Sequence, residues 1–186
     1  MPHNPFTPFR NSRMELGEVY FWTNTIKGWK HLLKPDHFKL IIMHQLQWLV
    51  ERKKIAVYAY VVMPNHMHIV WELLEMNGKE KPHASFNKWT SSQFLKKLRS
   101  NNPEQLVEFI EVTNERNHRF WQRDPLAVLM DSVRKVEQKI DYIHLNPLQE
   151  KWNLVHDPEH YRWSSADFYL TGKDDFNILT HYKQRF

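Results

Sequence analysis

Two histidines supply the first residues in this chain whose type and spacing suit chemistry. His66 and His68 lie in HMHIVWEL (66–73), a β-branched and aromatic stretch that predicts a strand. Because side chains alternate along a strand, both imidazoles project from the same face, and two parallel imidazoles are a bidentate start to a metal site. The chain has 12 histidines, so about one HxH pattern is expected by chance. Two ligands also do not complete a metal site.

A tyrosine in the helix predicted over residues 132–146 is the second candidate. The apolar stripe of this helix consists of Val133, Val136, Ile140 and Ile143. Tyr142 lies nearly opposite that stripe, on the side that carries Lys135 and Lys139. A phenol displayed there can act as a nucleophile that forms a covalent intermediate, and the two lysines could hold a phosphate or favour the phenolate. Asn146, one turn on, offers an oxygen as a third metal ligand, although the following Pro147 disfavours helical geometry there.

The elements that must position these groups are strands and helices in alternation. The sequence predicts strands over residues 18–26, 55–63 and 66–73, with a Pro64-Asn65 break between the last two. A helix opens at Pro35-Asp36, and the helix that carries the tyrosine is stopped by Pro147. This mixture, with neighbouring hairpin-like strands, favours an α+β fold. We place residues 1–14 in an irregular N-terminal arm and residues 15–186 in a single domain.

Composition excludes several classes of protein. The chain has 186 residues, a net charge of +5, no cysteine and only 4 glycines. Without cysteine there is no disulfide framework, zinc knuckle or thiol catalysis, and no glycine-rich phosphate loop is present. The longest apolar run, residues 55–63, is about half the length of a membrane-spanning helix. We therefore expect a cytoplasmic protein with no membrane partner.

Four segments resemble a known family. VVMPNHMHIV (61–70) resembles the HUH signature of single-tyrosine transposases, and DYIHLNPL (141–148) resembles their catalytic-helix motif. HRFWQRDPL (118–126) and YRWSSADFY (161–169) are similar to segments that recur in that family, in the same order. The resemblance covers about residues 15–172. The form YIHxNP most resembles the branch of REP-associated tyrosine transposases, which is tied to repetitive palindromic elements.

This resemblance implies a ferredoxin-like antiparallel sheet with helices packed on it. It implies that His66, His68 and Asn146 bind Mg²⁺ or Mn²⁺ and that Tyr142 is the nucleophile. Insertion-sequence relatives have Gln at the position of Asn146. A second departure follows Pro147, where LQEKWNLV (148–155) replaces a small, glycine-containing segment. Monomeric and homodimeric relatives both exist, so the resemblance leaves the oligomeric state open.

The function implied is an endonuclease and strand transferase that cleaves and rejoins single-stranded DNA near hairpins through a 5′-phosphotyrosine intermediate. The side chains expected to bind this DNA are Lys96, Lys97, Arg99, Arg116, Arg119, Arg123, Lys135 and Lys139, with Trp121 and Trp163 as stacking platforms. Two alternatives stay open: a domesticated hairpin-binding protein that does not cleave DNA, and a metal-dependent nuclease that acts through water. A purely structural protein would leave the motif set unexplained.

Overall fold

The computed structural model describes residues 14–111 and 118–186. A four-stranded sheet has the order β2-β3-β1-β4, and every pair is antiparallel. Its strands are β1 (Val19–Thr25), β2 (Ile55–Val62), β3 (His66–Leu73) and β4 (Leu126–Leu129). β3 lies between β1 and β2, and β1 lies between β3 and β4, which is the split β-α-β arrangement of a ferredoxin-like fold. The predicted α+β class is confirmed.

Helices cover both faces of this sheet. They are α1 (Asp36–Glu51), α2 (Pro82–Asn101), α3 (Pro103–Leu106), α4 (Val133–Leu145) and α5 (Ala166–Thr171). α2 packs against one face, where Phe86 meets the rings of Trp22 and Trp71 edge-on. α4 packs over β2 and β3 on the opposite face through Val136, Ile140 and Ile143, which are buried. Consequently β3 is buried along its whole length on both faces.

The hydrophobic core explains why the histidines share a face. The odd-numbered residues of β3 point toward α2, and Trp71 among them stacks on Trp22 with ring centroids 4.9 Å apart. The even-numbered residues, which include His66 and His68, point toward α4. Because a slip of one residue would move the tryptophan to the other face, packing in the core fixes the direction of both imidazoles.

The outer edge of β2 is closed by the C-terminal segment. Val62 donates its backbone N–H to the carbonyl of Trp163, and Thr180 donates to the carbonyl of Val57, both at 2.8 Å. Ser165 donates to the carbonyl of Tyr60 at 3.0 Å. The YRWSSADFY segment therefore extends the hydrogen bonding at this edge of the sheet.

Most predicted elements agree with the structure to within one or two residues, with two differences. β4 was not predicted, because it is a four-residue edge strand whose side chains are only partly buried. Met14, which we assigned to the arm, is fully buried in the core, so this residue belongs to the folded domain. The rest of the predicted arm, residues 1–13, lies outside the described residues. Among residues 14–111 and 118–186, no helix is long and apolar enough to cross a membrane.

The Trp22–Trp71 pair yields a stability prediction. Both rings are fully buried, so Trp22→Ala would leave a large cavity and lower the free energy of unfolding by about 3–5 kcal/mol. Trp89 on α2 is 38% exposed, and Trp89→Ala serves as the control with a much smaller loss. Urea unfolding followed by circular dichroism measures both, and equal losses would contradict this account of the core.

Candidate active site

The two imidazoles lie side by side beneath α4. His66 and His68 pair with Thr25 and Thr23 of β1, and their ring centroids are 4.7 Å apart. Both residues are 5% exposed. Both rings are therefore buried. Because buried polar groups need hydrogen-bond partners, neighbouring polar groups must hold both imidazoles.

A neighbouring amide fixes the proton on His66. Nδ2 of Asn65 donates to the backbone carbonyl of Trp29 at 3.0 Å, so Oδ1 of Asn65 is the atom that faces His66. That oxygen lies 2.6 Å from Nδ1 of His66, and as an acceptor it requires the proton to be on Nδ1. Nε2 of His66 is left with its lone pair, which is the form that binds a metal.

His68 is oriented by β1. Its Nδ1 lies 2.8 Å from the hydroxyl of Thr23, and its ring stacks on Phe21 with centroids 5.3 Å apart. Nε2 of His68 lies 3.5 Å from the hydroxyl of Tyr142. One ring nitrogen of His68 thus faces Thr23, and the other faces the predicted nucleophile.

Both histidines are neutral at physiological pH. Burial and, to a smaller extent, the positive charge of Lys151 lower the pKa of His66 to about 4, and a hydrogen bond with the side chain of Asn146 opposes the shift. Burial lowers the pKa of His68 well below its usual value, and His66, Lys139 and Lys151 act in the same direction. Neutral imidazole is the ligand form for a cation, so no proton must be displaced from Nε2 of His66 near pH 7.

Tyr142 reaches the histidines from the flank of α4. Its residue is 41% exposed, while its ring contacts His68 and Phe21 edge-on, with centroids 5.2 and 6.0 Å apart. α4 lies over β2 and β3, and Tyr142 projects from the flank of the helix toward Phe21 of the neighbouring β1. This geometry explains how a side chain outside the apolar stripe still contacts the sheet.

Of the two lysines predicted beside the tyrosine, one lies there. Nζ of Lys139 is 5.5 Å from the centroid of the Tyr142 ring and 4.8 Å from that of Phe21. Lys135 instead forms an ion pair with Asp131, one turn earlier on the helix, at 2.8 Å. Lys139 therefore lies at the candidate site, whereas the charge of Lys135 is paired with Asp131.

Asn146 ends α4 with its amide buried. Its backbone is helical, with φ −59° and ψ −43°, and Pro147 follows in a short 3-10 turn that needs no N–H from the proline. The residue is 2% exposed. A hydrogen bond of its side chain with His66 raises the pKa of that histidine, although Oδ1 makes no hydrogen bond of good geometry in the described structure. A buried carbonyl oxygen without a partner is costly unless a ligand completes it.

These groups fit a divalent cation. Two imidazole nitrogens and the unpaired oxygen of Asn146 form a mixed nitrogen and oxygen donor set, and Mn²⁺ accepts both kinds of ligand. Mg²⁺ prefers oxygen ligands and water, so this set suits it less well. No cluster of three His, Cys, Asp or Glu side chains that could hold a metal occurs in residues 14–111 and 118–186. The third protein ligand at this site would therefore be the amide.

The other predicted DNA-binding residues are spread over the surface or buried. Lys96 and Arg99 are exposed and Lys97 is partly exposed, all on α2, which packs on the sheet face away from the histidines. Arg119 and Arg123 share the single carboxylate of Glu111, at 2.7 and 3.2 Å, so at most one of their two positive charges is balanced. Both line a groove of about 760 Å³ beside α2. Arg116 lies outside the described residues.

The two predicted stacking platforms belong to the core. Trp121 is 5% exposed and donates its indole N–H to the hydroxyl of Thr90 at 2.9 Å. Trp163 is equally buried and stacks on Phe176 with centroids 5.8 Å apart. Neither ring has a free face for a base, so the structure does not support the stacking role, because both rings fill space between elements.

Sequence reasoning missed the residues that surround the histidines. Asn65 and Thr23 orient the imidazoles, and Trp29 and Trp152 contact the His66 ring. Asn65 directly precedes His66, which was a signal for its role. The other three come from distant parts of the chain, and no spacing pattern connects them to the histidines.

The sequence was compared with known protein families and with individual proteins. No model of a known protein family matches the chain. The chain is 21% identical over 136 residues to the REP-associated tyrosine transposase of Escherichia coli (strain K12), covering 73% of this chain and 70% of that protein. The chain is therefore similar to this transposase, at low identity, over most of its length. The resemblance inferred from the motifs is thereby confirmed, and the relationship supports a transposase family and a DNA-processing enzyme.

One solved structure supports the fold described above. A REP-associated tyrosine transposase bound to a REP hairpin gives a TM-score of 0.58 at 18% identity, covering 90% of this chain and 88% of that chain. The tRNA(His) guanylyltransferase of Saccharomyces cerevisiae gives a TM-score of 0.43 at 11% identity, covering 76% of this chain and 65% of that chain. The transposase structure confirms the arrangement of a four-stranded antiparallel sheet with helices packed on it.

The hydrogen bond from Asn65 generates a prediction for metal affinity. Asn65→Ala removes the acceptor that fixes the His66 tautomer, and affinity for Mn²⁺ should fall about 10–100-fold. Asn65→Asp keeps an acceptor and should retain affinity. Electron paramagnetic resonance of free Mn²⁺ measures binding, and circular dichroism checks the fold. Equal affinity in the wild type and Asn65→Ala would contradict the orienting role.

Proposed function

We propose that this protein is a metal-dependent transposase that cleaves and rejoins single-stranded DNA beside hairpins. The observation that carries the proposal is the 3.5 Å distance between the hydroxyl of Tyr142 and Nε2 of His68. It joins a half-exposed phenol to a buried pair of neutral imidazoles. Homology to a transposase supports the reaction class, and the hairpin bound by the structural relative supports the choice of DNA.

Tyr142 would be the nucleophile. Its oxygen attacks the phosphorus of a phosphodiester in line with the 3′ oxygen, so that one P–O bond forms as the other breaks. The phenol proton passes to solvent, which reaches the half-exposed ring, and the leaving oxygen takes up a proton as a free 3′-OH. The 5′ end stays on the protein as a phosphotyrosine ester.

The ester makes rejoining independent of ATP. It conserves the energy of the broken phosphodiester, and a second 3′-OH can attack the same phosphorus and release Tyr142. The ring contacts with Phe21 and His68 hold the phenol in one position through both steps. Such fixed positioning is a major source of rate acceleration in phosphoryl transfer.

Mn²⁺ or Mg²⁺ would be held by His66, His68 and Asn146. Bound there, the cation would polarise the scissile phosphate and balance charge in the transition state. Asn65 and Thr23 hold the two imidazoles in position, and the orphaned amide oxygen of Asn146 supplies the remaining ligand. The neutral state of the histidines keeps the site ready near pH 7.

Lys139 and Lys151 would bind the DNA backbone at the site. No ion pair involves either lysine in the part of the chain that the structure describes. Lys139 lies over the Tyr142 ring, and Lys151 is close enough to lower the pKa of both histidines. An unpaired ammonium group keeps its charge available for a phosphate, whereas Arg119 and Arg123 share the carboxylate of Glu111.

The first experiment tests for the covalent intermediate. Labelled single-stranded hairpin oligonucleotides are incubated with the protein and Mn²⁺ or Mg²⁺, and the products are run on a denaturing gel. The wild type should give a metal-dependent, heat-stable DNA–protein band, which Tyr142→Phe abolishes while hairpin binding stays nearly intact. Tyr169→Phe is the matched control, because that hydroxyl donates to the carbonyl of Tyr58 and contacts neither His66 nor His68 in a described hydrogen bond.

Other outcomes of this assay assign other functions. Cleavage without the covalent band favours a nuclease that acts through water. Hairpin binding with neither product favours a domesticated hairpin-binding protein. A band that persists in Tyr142→Phe would show that another residue is the nucleophile.

A second experiment tests the phosphate contact of Lys139. Lys139→Gln should weaken DNA binding and reduce the slope of log affinity against log salt by about 0.7–1, as expected for one lost phosphate contact. Lys135→Gln, on the same helix but paired with Asp131, is the control and should change the slope little. Fluorescence anisotropy at several salt concentrations measures both variants. Equal slopes for both would contradict the contact.

A further inference from the structure

Trp152 is held against the candidate active site by the turn that follows α4. Its ring lies 5.8 Å from that of His66 and 5.8 Å from that of His31, centroid to centroid. The backbone of residues 149–154 folds back on itself: Trp152 donates to the carbonyl of Gln149 at 2.7 Å, and Leu154 donates to that of Pro147 at 3.0 Å. The turn is thereby tied to the end of the helix that carries the predicted nucleophile.

Trp29 approaches the same imidazole from the loop after β1. Its ring centroid is 6.4 Å from that of His66, and the residue is 60% exposed. A large indole this exposed contributes little to the core. Its backbone carbonyl, in contrast, is fixed, because it accepts the hydrogen bond from Asn65.

The backbone at Trp29 is strained. Gly28 and Trp29 have φ values of +66° and +58°, and a bulky non-glycine residue rarely adopts this left-handed conformation. Such strain persists where surrounding contacts impose it, and it is concentrated at functional sites. Here the strained residue holds its carbonyl on Asn65 while its ring faces solvent beside His66.

Charge next to these rings is positive. Nζ of Lys151 lies 5.7 Å from the centroid of the Trp152 ring, and the whole chain carries a net charge of +5. Aromatic rings beside unpaired cations are the usual way in which proteins bind single-stranded nucleic acid, since bases stack on the rings and phosphates meet the cations. An apolar ligand would not need the cation.

We propose that Trp29 and Trp152 form a stacking site for an unpaired base of single-stranded DNA beside His66. This inference rests on the proposed function, and it deepens that function by naming how the strand is held. The site recognises a base through its aromatic face and therefore tolerates different bases. It fixes the nucleotide next to the phosphodiester that Tyr142 attacks.

The test compares two strands of equal charge. A fluorescein-labelled oligothymidylate of about 16 nucleotides and an abasic strand of the same length are titrated with the full-length protein in EDTA, which prevents cleavage. The wild type should bind the oligothymidylate about tenfold more tightly. Trp29→Asn should remove most of this preference and leave affinity for the abasic strand unchanged, because asparagine tolerates the left-handed backbone.

Two further variants keep the outcome interpretable. Trp152→Leu should also reduce the preference, and it leaves the strained backbone at Trp29 untouched. Trp89→Ala is the matched control, because it removes an exposed indole from α2, on the other face of the sheet. That variant should keep the full preference.

The results that would overturn the proposal are specific. Equal binding of the two strands by the wild type, or a preference that survives in both Trp29→Asn and Trp152→Leu, would overturn it. Loss of the preference in Trp89→Ala alone would assign stacking to α2 and overturn it as well. The covalent-adduct assay is independent: its failure with the base preference intact would refute the proposed chemistry and leave the stacking site standing.

Discussion

The alternation of side chains along β3 is the constraint on which the rest of the structure depends. One face of the strand packs Trp71 against Trp22 and Phe86, and the other presents two imidazoles to α4. The register with β1 fixes both at once, so the core cannot form without directing the histidines. Stability and function therefore share one structural element, and the cost of burying two polar rings is offset by the packing behind them.

Polar groups on the site face are organised by a short hydrogen-bond relay. The backbone carbonyl of Trp29, a residue with a strained φ angle, orients Asn65. Asn65 in turn fixes the proton on His66. The relay ends at a lone pair, beside an amide oxygen of Asn146 that no described group satisfies. Native structures rarely leave a buried acceptor in this state without a reason. A bound cation supplies that reason in the function proposed for the chain.

Positive charge occurs on both faces of the sheet. Around α2, Arg119 and Arg123 share the single carboxylate of Glu111, and no ion pair among the described residues involves Lys96, Lys97 or Arg99. Around α4, Lys139 and Lys151 lie beside aromatic rings instead of carboxylates. The modest net charge of +5 thus understates the positive potential near Tyr142. A polyanion is favoured at the histidine face because no ion pair among the described residues involves Lys139 or Lys151, so no acidic partner there has to be displaced.

The sequence by itself determined the elements and the local pairs. Period-two alternation predicted β3 and the shared direction of its histidines, and helical spacing predicted α4 with Tyr142 and Asn146 as candidate site residues, whose roles the motif resemblance made specific. Sequence reasoning failed where long-range packing decides the position of a side chain. It predicted Trp121 and Trp163 as exposed stacking platforms, although the core buries both, and it gave no role to Trp29, Trp152 or Thr23. These residues meet the site only after the sheet and the turns have formed. Local patterns fix which face a residue occupies, whereas its partners across the chain depend on tertiary packing, which no spacing encodes.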